Sequence, residues 1–196
     1  MTSHGDVSTG LLRPELRLEL ADVENLVARI RNEIPGSYLS VANINAPGQV
    51  IVAGDLLAID QIVERGRAAG ARRMIALNVS GAFHTIAMLP ARSAMNDRLV
   101  AVGIDSPVAP LISNIDASKL TNPPSIRAEL ADHIVAPVQW LDSVRTIEGL
   151  GVRHIVEFGH GSVLTGMLRR TLSTVELHNV TSWESACDVA NRLTNG

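Results

Sequence analysis

Six histidines and a single cysteine, Cys187, carry most of the chemistry that this sequence offers. His84 closes the segment Val79-Ser80-Gly81-Ala82-Phe83-His84, just past an expected strand end. Loops at such ends are positioned by a rigid sheet, and an imidazole there can act as a general base near neutral pH. The same residue types fit a histidine that is merely hydrogen-bonded, so both readings stand at this point. Gly159-His160-Gly161-Ser162 lies between the strand pattern HIVEF and a helical stretch. A nucleophile elbow needs G-x-S-x-G and the order here is G-x-G-S, so Ser162 reads as a helix cap behind a tight glycine turn. Cys187 falls on the run Trp183, Ala186, Cys187, Ala190 and reads as a small buried thiol in a C-terminal helix. His154 and His160 are six apart, and no histidine pair has the i,i+4 spacing or neighbouring carboxylates of a helical metal site, so no metal centre is expected. Asp132-His133 and Trp183-Glu184 read as helix surface and core edge.

The elements that must position these groups follow from periodicity. ELRLEL (15–20) alternates as a strand does, and Val23, Leu26, Val27, Ile30 and Ile34 then recur at helical spacing behind a cap at Asp22. YLSVANI (38–44) and QVIVAG (49–54) flank Ala46-Pro47-Gly48, where Pro suits the second and Gly the third position of a type II turn, so a hairpin is expected. Asp55 caps a helix with Leu56, Ile59, Ile62 and Val63 on one face; Gly70 stops it, and RRMIALNV (72–79) is a further strand. The order β-α-β-β-α-β is that of a ferredoxin-like unit, expected over 13–79. Beyond it the pattern predicts a helix entered through Pro90, a strand at 109–113, helices near 125–134 and 137–149, a strand at 153–158, a helix from Ser162, a strand at 174–177 and a helix from Ser182. Strands separated by helices imply a parallel α/β sheet, although three short strands are few for one covered on both faces.

The chain has 196 residues, 46% of them hydrophobic, and a formal charge of −3, which describes a folded protein rather than a disordered one. Its 17 Lys and Arg stand against 20 Asp and Glu with no basic stripe, so nucleic acid is not an expected partner. One cysteine excludes an intrachain disulfide and fits a reducing compartment. MTSHGDVSTG lacks the basic flank and apolar run of a signal peptide, and no apolar run approaches the roughly 18 residues of a membrane span. The expectation is a soluble, cytoplasmic protein.

Five blocks together resemble one family. ANINAPGQVIVAGD (42–55), VSGAFHTIAMLPA (79–91), LISNIDA (111–117), APVQWLDSV (136–144) and VEFGHGSVLTGMLRR (156–170) are similar, in order and spacing, to the later half of malonyl-CoA:acyl-carrier-protein transacylases and of polyketide-synthase acyltransferase domains. The resemblance spans about residues 15 to 172. It implies a ferredoxin-like small subdomain over 13–79 and, over 80–196, the C-terminal portion of an α/β-hydrolase-like subdomain, with the active site between them.

Carried over residue by residue, the resemblance makes His84 the catalytic base that takes a proton from a serine and gives it to the departing thiol. It makes Asn43 a polar cleft residue and Phe83 the bulky neighbour that favours malonyl over methylmalonyl groups. His133 falls where relatives often have Gln, at a position whose main-chain carbonyl orients the catalytic histidine. His160 replaces the usual Pro of a G-P-G turn, and Thr85 a common Ser. The family's N-terminal part, with its G-H-S-x-G serine, its Gln-Gly oxyanion segment and its malonyl-binding Arg, has no match in these 196 residues. The expectation is therefore acyltransferase ancestry in fatty-acid or polyketide synthesis and no turnover by this chain alone. Malonyl-CoA and an acyl carrier protein become partners once an N-terminal half bearing the nucleophile, on a separate chain or on a segment missing from this sequence, completes the site. A docking or scaffold piece, or a truncated relic, remains the alternative. No metal or redox cofactor is implied, since thioester exchange needs a nucleophile, a base and an oxyanion hole. An incomplete sheet is also expected to leave Val138, Leu141 and Val144 uncovered.

Overall fold

A computed structural model describes residues 7–13, 18–77 and 81–195, with the first strand traced by its backbone. Helix and strand alternate as an α/β protein requires, and the chain divides into two compact units, Met1–Ser143 and Val144–Gly196.

The first unit opens with β1 (Val7–Arg13), α1 (Leu20–Glu33), β2 (Leu39–Ala46), β3 (Gln49–Asp55), α2 (Leu56–Ala68) and β4 (Arg73–Leu77). The strands form one sheet in the order β2-β3-β1-β4, with every neighbouring pair antiparallel. The opening strand is not the expected one. Residues 15–17 lie outside the described residues, Leu20 is already helical, and the strand that fills the sheet centre is Val7–Arg13. Asp22 is likewise not the cap of α1: Glu19 holds that position, and the Asp22 carboxylate accepts its N–H at 3.0 Å. Residues 78–80 of the strand expected over 72–79 lie outside the described residues.

Both helices cover one face of the sheet. Val23, Val27 and Ile30 from α1 and Ala58, Ile59 and Ile62 from α2 meet Leu39, Val50 and Val52 there. Burying each of the Val, Leu and Ile side chains contributes about 1.5–3 kcal/mol, which makes this cluster the main support of the unit. Asp55 ties the layers together: Oδ1 accepts the Ala58 N–H at 3.0 Å as the cap of α2, and Oδ2 accepts the Tyr38 N–H at 2.8 Å. Gly48 turns the β2–β3 hairpin at φ 66°, the positive value that the third position of a type II turn demands.

The opposite face carries small residues, and this decides what docks on it. Ala42 and Ala53 pack against Ala82, in the loop that leads to His84. After that loop come a 3-10 turn (Ile86–Met88), α3 (Leu89–Val100), β5 (Leu111–Ile112), β6 (Lys119–Leu120), α4 (Pro123–Asp132) and α5 (Trp140–Gly149). The strand expected at 109–113 is two residues of an antiparallel hairpin with Lys119–Leu120, not part of a parallel sheet. Val138, Leu141 and Val144 are buried rather than left uncovered.

The second unit holds β7 (His154–Phe158), α6 (Val163–Thr171), β8 (Glu176–Val180) and α7 (Trp183–Asn195). β7 and β8 pair in parallel, and β8 runs later than the expected 174–177. Cys187 is exposed and Trp183 is 83% exposed, so the helix face read as buried is open in this chain. Among the described residues, no helix is long and apolar enough to cross a membrane.

Candidate functional site

His84 is held by the chain that follows α4. Its backbone N–H donates to the Ile134 carbonyl at 2.9 Å, and its ring Nδ1 lies 2.9 Å from the His133 carbonyl. A carbonyl oxygen has no proton to give, so Nδ1 carries the hydrogen and Nε2 keeps its lone pair. These two contacts hold a backbone at φ 64°, a left-handed conformation that costs a non-glycine residue about 1 kcal/mol or more. Thr85 locks the next step of the loop: it is buried, and its hydroxyl donates to the Ala82 carbonyl at 2.7 Å. The hydroxyl expected at this position is thus committed to the turn.

The carbonyls that receive His84 are themselves fixed. Glu129 on α4 accepts the Ser113 hydroxyl and the Asn114 N–H, each at 2.7 Å, which ties the LISNIDA block to this helix. Farther along, the Val138 N–H donates to the Ala42 carbonyl at 2.8 Å, and the Ile44 N–H to the Val138 carbonyl at 2.9 Å. Residues 133–138 therefore form a strap pinned to α4 at one end and to β2 at the other, with Asn43 at the β2 anchorage.

His133 sits at the end of α4, half-buried rather than on the helix surface, with its ring centroid 4.8 Å from that of His84. Burial, reinforced by the neighbouring His84 ring and opposed by Glu129, pushes its pKa below the usual histidine range. Its Nε2 is buried without a hydrogen-bond partner among the described residues. A neutral imidazole suits that place, and it leaves no positive charge beside the base.

His84 opens onto a cleft of about 210 Å³ lined also by Ser40, Ile86, Val135 and Pro137. Asn43 and Phe83 are not among its lining residues. Phe83 is 45% exposed and its ring turns back over Gly81, where an added Cβ would meet it at 3.4 Å. The structure thus brings His84 and the His133 carbonyl together; Phe83 is the chain neighbour of His84, Asn43 lies where β2 meets Val138, and neither lines the cleft.

In the second unit, Gly159 and Gly161 turn the chain at φ 117° and 93°, with His160 exposed between them. Ser162 holds the cap position of α6 but makes no side-chain capping bond. Glu157, unnoticed in the sequence, does that work from β7. Its carboxylate accepts the Leu164 N–H at 3.0 Å, the Thr165 N–H at 2.7 Å, the Thr165 hydroxyl at 2.6 Å and the Asn179 amide at 3.0 Å. The Thr165 hydroxyl and amide lead in holding its pKa down to about 2. On the other face of the β7–β8 pair, His154, Glu176 and His178 converge.

No family model matches the chain. It is similar to the malonyl CoA-acyl carrier protein transacylase of Escherichia coli strain K12, 36% identical over 140 residues, which are 71% of this chain and 45% of that protein. The solved malonyl CoA-acyl carrier protein transacylase of Coxiella burnetii matches 99% of the chain at TM-score 0.89 and 26% identity, with 60% of its own length covered. A malonyl-transacylase solved in complex with a type II PKS acyl-carrier protein matches 97% of the chain at TM-score 0.88 and 27% identity, again over 60% of its length. The chain thus spans about half the length of the curated relative and three fifths of these solved ones.

Proposed function

The chain belongs to the family of malonyl CoA-acyl carrier protein transacylases, and from that premise we propose that it supplies the general base, His84, for malonyl transfer from CoA to a carrier-protein thiol. One observation carries this reading: the 2.9 Å contact from His84 Nδ1 to the His133 carbonyl, which fixes the tautomer whose Nε2 can accept a proton.

In this mechanism Nε2 takes the hydroxyl proton of a serine as its oxygen attacks the malonyl thioester. The C–S bond breaks, the imidazolium returns the proton to the departing CoA sulfur, and a malonyl-serine ester remains. The second half runs the same path in reverse. Nε2 deprotonates the carrier thiol, the thiolate takes the malonyl group, and the serine oxygen recovers its proton. The His133 carbonyl stabilises the imidazolium in both halves, as an orienting carboxylate does in other triads. None of the serines in the 196 residues stands in a G-H-S-x-G context, so the attacking serine is assigned to a segment other than these residues. Residues 7–77, which hold β1 to β4, are assigned as the ferredoxin-like lobe that anchors the His84 loop, and Phe83, next to His84 in the chain although outside the cleft described above, as the residue that disfavours an α-methyl group once the site is completed.

The test mixes this chain with the nucleophile-bearing segment of such a transacylase and follows malonyl transfer to carrier protein by intact mass. Transfer is expected with the mixture and not with the chain alone. His84→Ala is expected to reduce it by about 10²–10⁴-fold while the two pieces still associate. Undiminished transfer by His84→Ala would overturn the assignment.

A further inference from the structure

We propose that His154, Glu176 and His178 form a binding site for a divalent transition-metal ion of the zinc class, which clips β7 to β8. The parallel register places His154 opposite Glu176, and His178 follows Glu176 by two residues, so strand alternation puts all three side chains on one face. Glu157, the other carboxylate on these strands, points to the opposite face and is committed to α6.

The distances among the three groups argue for a shared cation rather than for mutual hydrogen bonds. His154 Nδ1 and His178 Nε2 are 3.3 Å apart, and Glu176 Oε2 lies 3.6 Å from the first and 3.9 Å from the second. The nitrogen pair is long for a hydrogen bond, and both carboxylate distances lie beyond hydrogen-bond range, so the three atoms satisfy one another poorly. Ligand atoms around a tetrahedral ion with bonds of about 2.0–2.2 Å stand roughly 3.3–3.6 Å apart, so a few tenths of an ångström of movement would let one ion serve all three.

Two imidazoles and a carboxylate are a donor set for zinc and for its first-row neighbours, not for calcium or magnesium. Glu176 is 73% exposed by side chain and His178 only 8%, so the site has a fixed inner ligand and an outer one that can close over an arriving ion, with a fourth position open to water. The gain is structural: a two-stranded sheet is marginal by itself, and a metal joining its strands would hold their register.

The test titrates Zn²⁺ into the chelator-treated full chain by calorimetry. Co²⁺ serves as a spectroscopic stand-in whose visible bands report a tetrahedral site. One Zn²⁺ per chain is expected, with affinity reduced about tenfold or more in both His154→Ala and Glu176→Gln, and unchanged in His160→Ala. Glu176→Gln alters an exposed carboxylate and leaves the fold intact by circular dichroism, so its effect reads ligation. Absence of stoichiometric binding, or binding and Co²⁺ bands unaltered by both ligand substitutions, would overturn the proposal.

Discussion

At His84 the His133 carbonyl holds the imidazole and the adjacent Ile134 carbonyl accepts the backbone N–H; in the proposed function the first takes the place that a buried carboxylate has in catalytic triads. Because the acceptor belongs to the backbone, the side chain at 133 can change without removing it. His133→Gln is expected to keep transfer in the completed site within about tenfold of the unaltered chain, far from the loss of about 10²–10⁴-fold expected for His84→Ala; paired rate assays check this. Phe83→Ser is expected to narrow the preference for malonyl over methylmalonyl thioester by about 1–3 kcal/mol, the worth of one methyl in a pocket, as read by competition between the two substrates. The pairing of His84 with residue 133 was legible in the sequence only through the order of the five blocks, since the two residues are 49 positions apart. Nothing local to either of them announces the contact.

Among the elements, those read from a long apolar period came through best: α1, α2 and the hairpin built on Ala46-Pro47-Gly48. Where one side chain had to choose, local pattern misled. ELRLEL alternates as a strand does, yet Glu19 and Asp22 cap a helix there, while the strand β1 has a Ser-Thr-Gly stretch that gives little sign of its place in the sheet. Ser162 sits in the right place to cap α6, but Glu157 from the neighbouring strand outcompetes it, and no spacing rule joins a strand glutamate to a helix seven residues later. That capping has a pH signature. The folded pKa of Glu157, about 2, lies below its value in an unfolded chain, so the interaction is fully present above the ordinary carboxylate range and is lost as pH falls toward about 2. Glu157→Gln is therefore expected to weaken protection of the Leu164 and Thr165 amides at neutral pH and to flatten the acid dependence of stability below the carboxylate range. Hydrogen exchange and acid unfolding monitored by circular dichroism check the two halves of this expectation.

For the whole molecule, the order of elements in the sequence suggests a boundary near residue 79, whereas compactness divides the chain after Ser143. The physical reason is the small-residue face of the first sheet: Ala42 and Ala53 accept Ala82 closely enough that the segment carrying His84 belongs to the same compact body. The two units differ in their support. Among the described residues, the first has a four-stranded sheet with a two-helix cover and a short hairpin besides, and the second a single parallel pair. Native-state hydrogen exchange of the full chain is expected to show its slowest amides in β3 and α2, around Val52 and Ile62, with β7 and β8 opening earlier. Uniform protection across both units would contradict that ordering.

If main-chain geometry readies His84 to accept a proton at Nε2, as proposed, nitrogen-15 NMR of the histidine rings will show it in the ring tautomer. In the full chain above the histidine range, His84 is expected to be a single tautomer, protonated at Nδ1 and bare at Nε2. A ring protonated at Nε2, or one exchanging between both tautomers as a solvated histidine does, would rule out that role for the His133 carbonyl.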